Sequence, residues 1–163
     1  RLDAVQAAVL GVKLSKLDMW AAARDINAAH YAEQFADAQF SGKIIAPTVA
    51  PGCRSVWNQY TIRVRHGRRD ALREFLSESK IGTAVYYPVP LHLQQCFEPL
   101  GYARGSLPVT EQAAEEVLSL PIFPELTEDE QQAVVDSIVE FFAAEDLDIP
   151  YGKASPPPTK SVA

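Results

Sequence analysis

The sequence of 163 residues contains no apolar run approaching the roughly 18 uncharged residues that a membrane-spanning helix requires. Its first residues, 1–3 (RLD), also lack the basic start and apolar middle of a signal peptide. Cysteine is scarce, and an isolated pair such as Cys53 and Cys96 is more often two free thiols in a reducing compartment than a disulfide. These absences predict a cytoplasmic protein with no membrane partner.

Motifs of several enzyme classes are missing as well. The three histidines, His30, His66 and His92, lie far apart and lack the spacing of metal ligands, so no metal site is predicted. Neither a G-x-S-x-G nucleophile motif nor a glycine-rich phosphate loop is present. Residue types and spacing alone therefore indicate no catalytic centre in this chain.

An excess of positive charge is also lacking. The net charge of -6 argues against nonspecific nucleic-acid binding, which depends on lysine and arginine neutralising phosphates. The charge is uneven, however, because six of the nine arginines fall between Arg54 and Arg73. Two interpretations remain open, an edge that attracts an anionic ligand or a solvated strand end and helix face. The residues concerned are Arg63, Arg65, Arg68, Arg69 and Arg73.

The composition that remains, 47% hydrophobic and 22% charged, is typical of one folded domain and excludes disorder as the main state. Apolar residues recur at helical spacing over residues 2–38, which predicts one long helix, or two with a break within residues 14–18. Because no capping residue precedes this pattern and the first residue is arginine, we expect the chain to start within a longer protein. An alanine-rich face permits close packing against a second subunit or within the domain.

Four strands are predicted from short apolar or alternating segments. Residues 43–47 form an edge strand ended by proline, and residues 56–64 show the period-two pattern of a strand with one buried face. A helix over residues 68–80 and a strand over residues 83–87 follow, which completes a strand, helix, strand unit. Residues 118–124 are a further short strand.

The remaining segments predict helices and a tail. Helices are predicted over residues 93–100 and 108–118, the latter with proline in its first turn. Residues 127–130 (TEDE) form a capping box that starts a final helix, which runs to residue 144. Residues 145–163, rich in proline and without an apolar period, predict an unfolded tail.

Three phrases in this order resemble signatures of a known family. They are residues 1–10 (RLDAVQAAVL), 81–94 (IGTAVYYPVPLHLQ) and 117–124 (VLSLPIFP). Together they resemble the C-terminal part of the DegT/StrS family of sugar-nucleotide aminotransferases, which depend on pyridoxal 5'-phosphate (PLP). Within the family, residues 55–61 (SVWNQYT) are most similar to enzymes that aminate the C3 ketone of UDP-linked 2-acetamido-3-keto-glucuronate.

The resemblance implies the small C-terminal α+β domain of a fold type I PLP transferase, which works as a homodimer. Residues 1–38 are then a long helix leading from an absent large domain. Residues 39–144 are a small, mostly antiparallel sheet covered by helices, and residues 145–163 are the disordered tail. The implied substrates are a UDP-sugar and a glutamate-type amino donor.

The resemblance also implies where the cofactor chemistry lies. PLP needs a lysine that forms a Schiff base, an acidic partner for its ring nitrogen and donors for its phosphate. None of the lysines here stands in the family's lysine context, so these groups are expected upstream and no catalytic or cofactor-binding residue is assigned to this chain. The isolated chain is expected to be inactive.

Four residues match family positions at the substrate site. Arg1 matches an arginine that reaches the neighbouring subunit's active site, where a guanidinium suits a carboxylate or pyrophosphate. Tyr86 and Tyr87 match a pair, often His-Tyr, that lines the nucleotide-sugar pocket, although one of the two is expected to pack in the core. His92 matches a position near the substrate, and a purely structural role is its alternative.

Two alternative functions stay open. One is amination at C4 of a dTDP- or UDP-linked 4-keto-6-deoxyhexose, which needs no carboxylate-binding arginine. The other is a non-catalytic regulatory or dimerisation domain, which the missing cofactor lysine favours.

Overall fold

The computed structural model describes residues 2–146, apart from the side chains of residues 145 and 146. Two helices come first, α1 (Ala4–Leu14) and α2 (Leu17–Phe35). The break between them falls inside the interval predicted from the apolar pattern. None of the helices in the described range combines the length and the apolarity that a membrane crossing needs.

Helices α1 and α2 differ in how they meet the rest of the domain. The Asp3 side chain caps α1 by accepting a 2.8 Å hydrogen bond from the Gln6 N–H. The expectation that no capping residue precedes this helix is therefore wrong, because Asp3 lies in extended conformation ahead of it. No residue of α1 is buried, whereas α2 buries one face. The apolar residues of that face are Ala21, Ala28, Tyr31 and Phe35.

A three-stranded antiparallel sheet lies at the centre, in the order β1 (Ile44–Ile45), β2 (Tyr60–Val64) and β3 (Val117–Leu120). The central strand alternates between buried and partly exposed residues, because successive side chains of a strand point to opposite faces. Its fully buried residues are Tyr60, Ile62 and Val64.

Helices cover the buried face of this sheet. Helix α5 (Glu128–Asp146) packs against both α2 and α3 (Arg69–Glu78), and α4 (Pro108–Glu116) leads directly into β3. The core between sheet and helices is formed mainly by aromatic and branched aliphatic side chains. Its largest members include Tyr31, Phe40, Tyr60, Leu72, Leu76, Leu118 and Ile138. The predicted α+β class, a small antiparallel sheet covered by helices, is confirmed.

The predicted strand over residues 83–87 is wrong. Only Ala84 pairs with a neighbour, through hydrogen bonds of 3.1 and 2.8 Å to the backbone of Ser119. Within residues 2–146 no strand lies beside the residues that follow Ala84, and Pro88 offers no N–H for pairing. The predicted strand, helix, strand unit therefore lacks its second strand, and β3 takes that place beside β2.

Several other predicted boundaries move, including the end of the strand predicted over residues 118–124, which the structure places at Leu120. The central strand starts at Tyr60 rather than at residue 56, because Trp57 has a φ of 48° and interrupts the extended chain. The predicted helix over residues 93–100 is a pair of 3-10 helices, Leu91–Leu93 and Gln95–Leu100. The final helix reaches Asp146, and the rest of the predicted tail, residues 147–163, lies outside the described residues.

Candidate functional site

Two adjacent tyrosines stand at the surface beyond the β3 edge of the sheet. Tyr86 is 46% exposed and Tyr87 70% exposed, and their rings lie edge to face with centroids 5.8 Å apart. The residue before them, Val85, packs against the core and fixes the start of the segment. Neither tyrosine belongs to the core, so the expectation that one of the two packs inside is wrong. Both rings remain accessible for contact with a ligand.

His92 is placed differently. It lies on the 3-10 helix Leu91–Leu93 and is only 8% exposed. Its Nε2 is 3.0 Å from Glu111 Oε1, and its ring meets the Tyr102 ring edge to face at 6.3 Å. The histidine is thus a buried, hydrogen-bonded group whose aromatic neighbour is Tyr102 and not the tyrosine pair.

Glu111, which the sequence analysis did not single out, is the partner that holds His92. Its carboxylate accepts the Gly105 N–H at 2.8 and 2.9 Å and the Leu107 N–H at 3.3 Å. The Gly105 hydrogen bond, and after it those from His92 and Leu107, lower the pKa of Glu111, while burial opposes the shift. An ionised carboxylate only accepts hydrogen bonds, so His92 Nε2 is the donor. An acidic residue shortly after Pro108, at the start of α4, was the available sequence signal.

Arg1 lies outside the described residues. Trp57, in the phrase shared with uronate-handling enzymes, donates from Nε1 to Asp25 Oδ1 at 2.9 Å and packs beside Tyr60 with ring centroids 5.6 Å apart. Nearby, Arg24 donates to the Val56 carbonyl at 2.9 Å. These contacts fasten the segment before β2 onto α2, so Trp57 has a structural role in this domain.

Three arginines of the arginine-rich stretch pair with groups inside the domain. Arg63 lies 2.7 Å from Glu116 Oε2, and Arg65 lies 3.4 Å from Glu116 Oε1. Arg69 is buried and donates to the carbonyls of Ala114 and Val117, at 3.0 and 3.1 Å, near the end of α4. The solvated interpretation is therefore wrong for Arg69. The pairing with Glu116 also disfavours an anion-attracting edge at Arg63 and Arg65.

Four lysines lie in the described range. Lys13, Lys16 and Lys80 are exposed. Lys43 is half-buried, with its Nζ 5.4 Å from the centroid of the Phe142 ring. A Schiff-base lysine needs an enclosed setting with donors for the phosphate, and the three exposed lysines do not lie in such a setting.

Comparison with known proteins shows the family. The profile of the DegT/DnrJ/EryC1/StrS aminotransferase family matches residues 1–139. The chain is 49% identical over 142 residues to a "Pleiotropic regulatory protein" of Geobacillus stearothermophilus, covering 87% of this chain and 37% of the relative.

Two further relatives have names that specify a substrate. The chain is 41% identical over 141 residues to the dTDP-3-amino-3,4,6-trideoxy-alpha-D-glucose transaminase of Micromonospora megalomicea subsp. nigra, covering 86% of this chain and 37% of that enzyme. It is 36% identical over 139 residues to the UDP-N-acetyl-3-dehydro-alpha-D-glucosamine 3-aminotransferase of Acidithiobacillus ferrooxidans, covering 85% and 35%. The chain therefore spans little more than a third of the length of these relatives.

The fold agrees with solved structures of the same kind. The crystal structure of S. venezuelae DesV in complex with a ketimine intermediate superposes with a TM-score of 0.75 at 39% identity, covering 86% of this chain and 37% of DesV. The described domain thus matches the small domain of a fold type I transferase.

Proposed function

The chain belongs to the DegT/DnrJ/EryC1/StrS aminotransferase family, and on this premise we propose that it forms the small domain of a UDP-sugar aminotransferase. The complete protein moves an amino group from a glutamate-type donor to the C3 ketone of a UDP-linked uronate. The observation that carries the proposal is the family match over residues 1–139, together with the two exposed tyrosines of the second family phrase. The names of two relatives, both specifying position 3, support C3 as the reacting carbon.

The tyrosine pair is the proposed contact to the nucleotide sugar. An exposed phenol offers an apolar face for stacking and a hydroxyl for hydrogen bonding. Because Tyr87 is 70% exposed, its ring contributes little to the stability of the fold and is available to a ligand. The role of this chain is therefore to bind and orient the sugar, and the bond-changing chemistry lies elsewhere in the protein.

Arg1 is the proposed contact to the uronate carboxylate, reaching across the interface of a homodimer. Its guanidinium can donate two parallel hydrogen bonds to a carboxylate. We expect Arg1→Ala to raise the KM for the uronate and to leave the KM for the amino donor unchanged. Arg104→Ala is the matched control, since Arg104 is an exposed arginine paired with Glu115 at 3.4 Å. Full activity of Arg1→Ala on the uronate would refute this role.

PLP is supported for the complete protein by the family, and when bound it supplies the electron sink for amino transfer. Since none of the lysines stands in the family's lysine context, we propose that the Schiff-base lysine, the acidic partner and the phosphate donors come from a region outside this chain. Purified complete protein is expected to show the visible absorption of bound PLP, bleached by glutamate. A complete protein that binds no PLP would contradict the proposal.

Helix α1 supplies the proposed packing surface for that region or for a second subunit. Its large apolar side chains are all more than half exposed. They are Val5, Val9, Leu10, Val12 and Leu14. An exposed apolar patch of this kind typically marks a surface that contacts another domain or subunit. Val9→Glu in the complete protein is expected to weaken the homodimer or the large-domain contact, as measured by sedimentation.

Two other functions are each favoured by one observation. The dTDP-sugar in the name of the Micromonospora relative favours a deoxyhexose substrate, although the 3-amino group in that name does not support the alternative of amination at C4. The name of the Geobacillus relative favours a regulatory role. Assays with UDP-3-keto-uronate and with dTDP- and UDP-4-keto-6-deoxyhexose separate the two enzymes. Absence of PLP binding and of activity on all three favours regulation.

A further inference from the structure

Glu111 joins three segments of the chain through one buried carboxylate. It lies on α4, is 8% exposed, and accepts backbone hydrogen bonds from Gly105 and Leu107 in the preceding turn. It also accepts from His92, which precedes it by 19 residues and follows the exposed tyrosine pair. Gly105 has a φ of 90°, a conformation that favours glycine, so the turn is shaped to aim its N–H at the carboxylate.

This arrangement fixes the state of the His92 ring. Oε1 of Glu111 faces three donors, so the proton of the pair resides on His92 Nε2. In the neutral imidazole, Nδ1 is then an acceptor. Among residues 2–146 Nδ1 has no hydrogen-bond partner, and it does not belong to the unpartnered side-chain atoms that are shielded from solvent, so a further group can reach it. The His92 ring is thus held at Nε2 by Glu111, and its Nδ1 can accept a hydrogen bond from a further donor.

We propose that Glu111 is a positioning residue for the substrate site: it holds the His92 ring with Nε2 toward itself and leaves Nδ1 to accept a hydrogen bond from a hydroxyl of the keto-sugar. This inference rests on the proposed function, because it takes the His92 side of the domain to meet the sugar. A purely structural Glu111 would hold the same tautomer, but its loss would lower stability without a selective effect on the reaction of the keto-sugar.

The matched control is Glu115, on the same helix. Glu115 is exposed and pairs with Arg104 at 3.4 Å, so Glu115→Ala removes the same charge and leaves His92 untouched. Glu111→Asp keeps the charge and withdraws the carboxylate by one methylene from the ring. It serves as the second variant if Glu111→Ala does not fold.

The first measurement is the tautomer of His92, read from side-chain nitrogen resonances of the complete protein labelled at histidine and assigned with His92→Gln. The proposal predicts a protonated Nε2 and an unprotonated Nδ1 in the wild type. It also predicts loss of this preference in Glu111→Ala, and its retention in Glu115→Ala. A proton on Nδ1 in the neutral wild-type ring overturns the proposal, whatever the protein's activity.

The second measurement follows the two halves of the reaction separately. Glu111→Ala or Glu111→Asp is expected to lower kcat/KM for the keto-sugar by about 10- to 100-fold through misplacement of a contact group. The half-reaction with the amino donor is expected to stay within about twofold of wild type, a limit set well below that misplacement effect. Equal losses in both halves, or a lower melting temperature with no kinetic change, overturn the positioning role.

Failure of the proposed function gives a different result. In that case the wild type itself shows no amino transfer to any keto-sugar nucleotide, while the tautomer measurement still decides whether Glu111 sets the His92 ring. A wild type that transfers nitrogen with Glu111→Asp equal to it in every parameter overturns the inference alone.

Discussion

Arg63 Nη2 lies 2.7 Å from Glu116 Oε2, and this ion pair ties the central strand to the last residue of α4. Glu116 is buried, accepts from Gln112 as well at 2.9 Å, and stands directly before β3, the strand that pairs with Arg63. This arginine of the arginine-rich stretch is thus part of the domain's internal structure. The Arg63–Glu116 ion pair stabilises the fold that carries the candidate site.

We expect Glu116→Gln to lower the free energy of unfolding by about 1–2 kcal/mol, since it leaves two partly exposed arginines, Arg63 and Arg65, without their charge partner. Glu115→Gln is the control, because its partner Arg104 is largely exposed, and it is expected to change stability by less than about 0.5 kcal/mol. Chemical denaturation of the complete protein measures both. Equal effects of the two substitutions would contradict the structural role of Glu116.

Two neighbouring core tyrosines differ in one hydrogen bond. Tyr31 donates its hydroxyl proton to the Pro121 carbonyl at 3.1 Å, whereas the buried Tyr60 hydroxyl has no partner among the described residues. Tyr31→Phe is therefore expected to cost about 1 kcal/mol, and Tyr60→Phe to be neutral or stabilising by up to about 1 kcal/mol. The order of the two unfolding free energies checks the prediction, and the reverse order would refute it.

The same tyrosines give the domain a sensitivity to high pH. Burial raises the pKa of Tyr31 and of Tyr60 above the ordinary tyrosine value of 10.0, and for Tyr31 the neighbouring Tyr60 adds to the shift. A raised folded-state pKa means stability that is complete below pH 10.0 and falls as the pH rises further, because the unfolded chain loses its protons first. Spectroscopic titration is expected to show delayed ionisation of two tyrosines, and loss of the delay in the double Phe variant.

The predicted capping box at the start of α5 is confirmed, and it predicts a sensitivity to acid. Glu130 accepts the Thr127 N–H at 2.9 Å, and Thr127 Oγ1 accepts the Glu130 N–H at 3.3 Å. The Thr127 backbone hydrogen bond lowers the pKa of Glu130, and the Thr127 hydroxyl lowers it further. The stabilisation from ionised Glu130 is thus fully present above the ordinary glutamate pKa of 4.5, and it is lost as the pH falls through the lowered pKa of the folded state.

Thr127→Ala should cost about 1 kcal/mol at neutral pH, and the difference from wild type should shrink in acid. Ser137→Ala, in the middle of the same helix, is the control for loss of a hydroxyl without loss of a cap. Thermal unfolding at several pH values measures both. A Thr127→Ala deficit that stays constant into acid would contradict the capping account.

Tyr87 is the residue whose loss should affect binding and spare the fold. Because it is 70% exposed, Tyr87→Ala is expected to change stability by less than about 0.5 kcal/mol. Its KM for the keto-sugar nucleotide should rise by about tenfold, from the loss of roughly 1–2 kcal/mol of aromatic contact. Val109→Ala, at a residue 78% exposed, is the control for loss of surface apolar area. Steady-state kinetics with an unchanged KM for Tyr87→Ala would remove this residue from the site.

Periodicity and capping signals predicted most of the elements because each is a local property. Each signal is built from residues that are close together in the sequence. This holds for the apolar stripe and capping box of α5, and for the alternation at Tyr60, Ile62 and Val64. The strand predicted over residues 83–87 failed for a non-local reason. Its β-branched and aromatic residues have strand propensity, but the fold gives them one bridge and leaves Tyr86 and Tyr87 at the surface.

The candidate site was predictable only in part. The tyrosine pair and His92 were predicted because all three lie in one continuous family phrase, residues 81–94. Glu111 escaped notice because its partners Gly105, Leu107 and His92 come together only through the turn before α4 and the 3-10 helix Leu91–Leu93. Likewise the pairing of Arg63 with Glu116 spans 53 residues and has no local signature.

The most direct test is transfer of isotopically labelled nitrogen. The complete protein is supplied with glutamate labelled at nitrogen and with UDP-linked 2-acetamido-3-keto-glucuronate, and the nucleotide sugar is weighed by mass spectrometry. The account predicts a labelled 3-amino product, formed with a higher KM by Tyr87→Ala. A protein that leaves this ketone unlabelled, and the 4-keto-6-deoxyhexose nucleotides as well, would contradict the claim that the domain orients a sugar for amination.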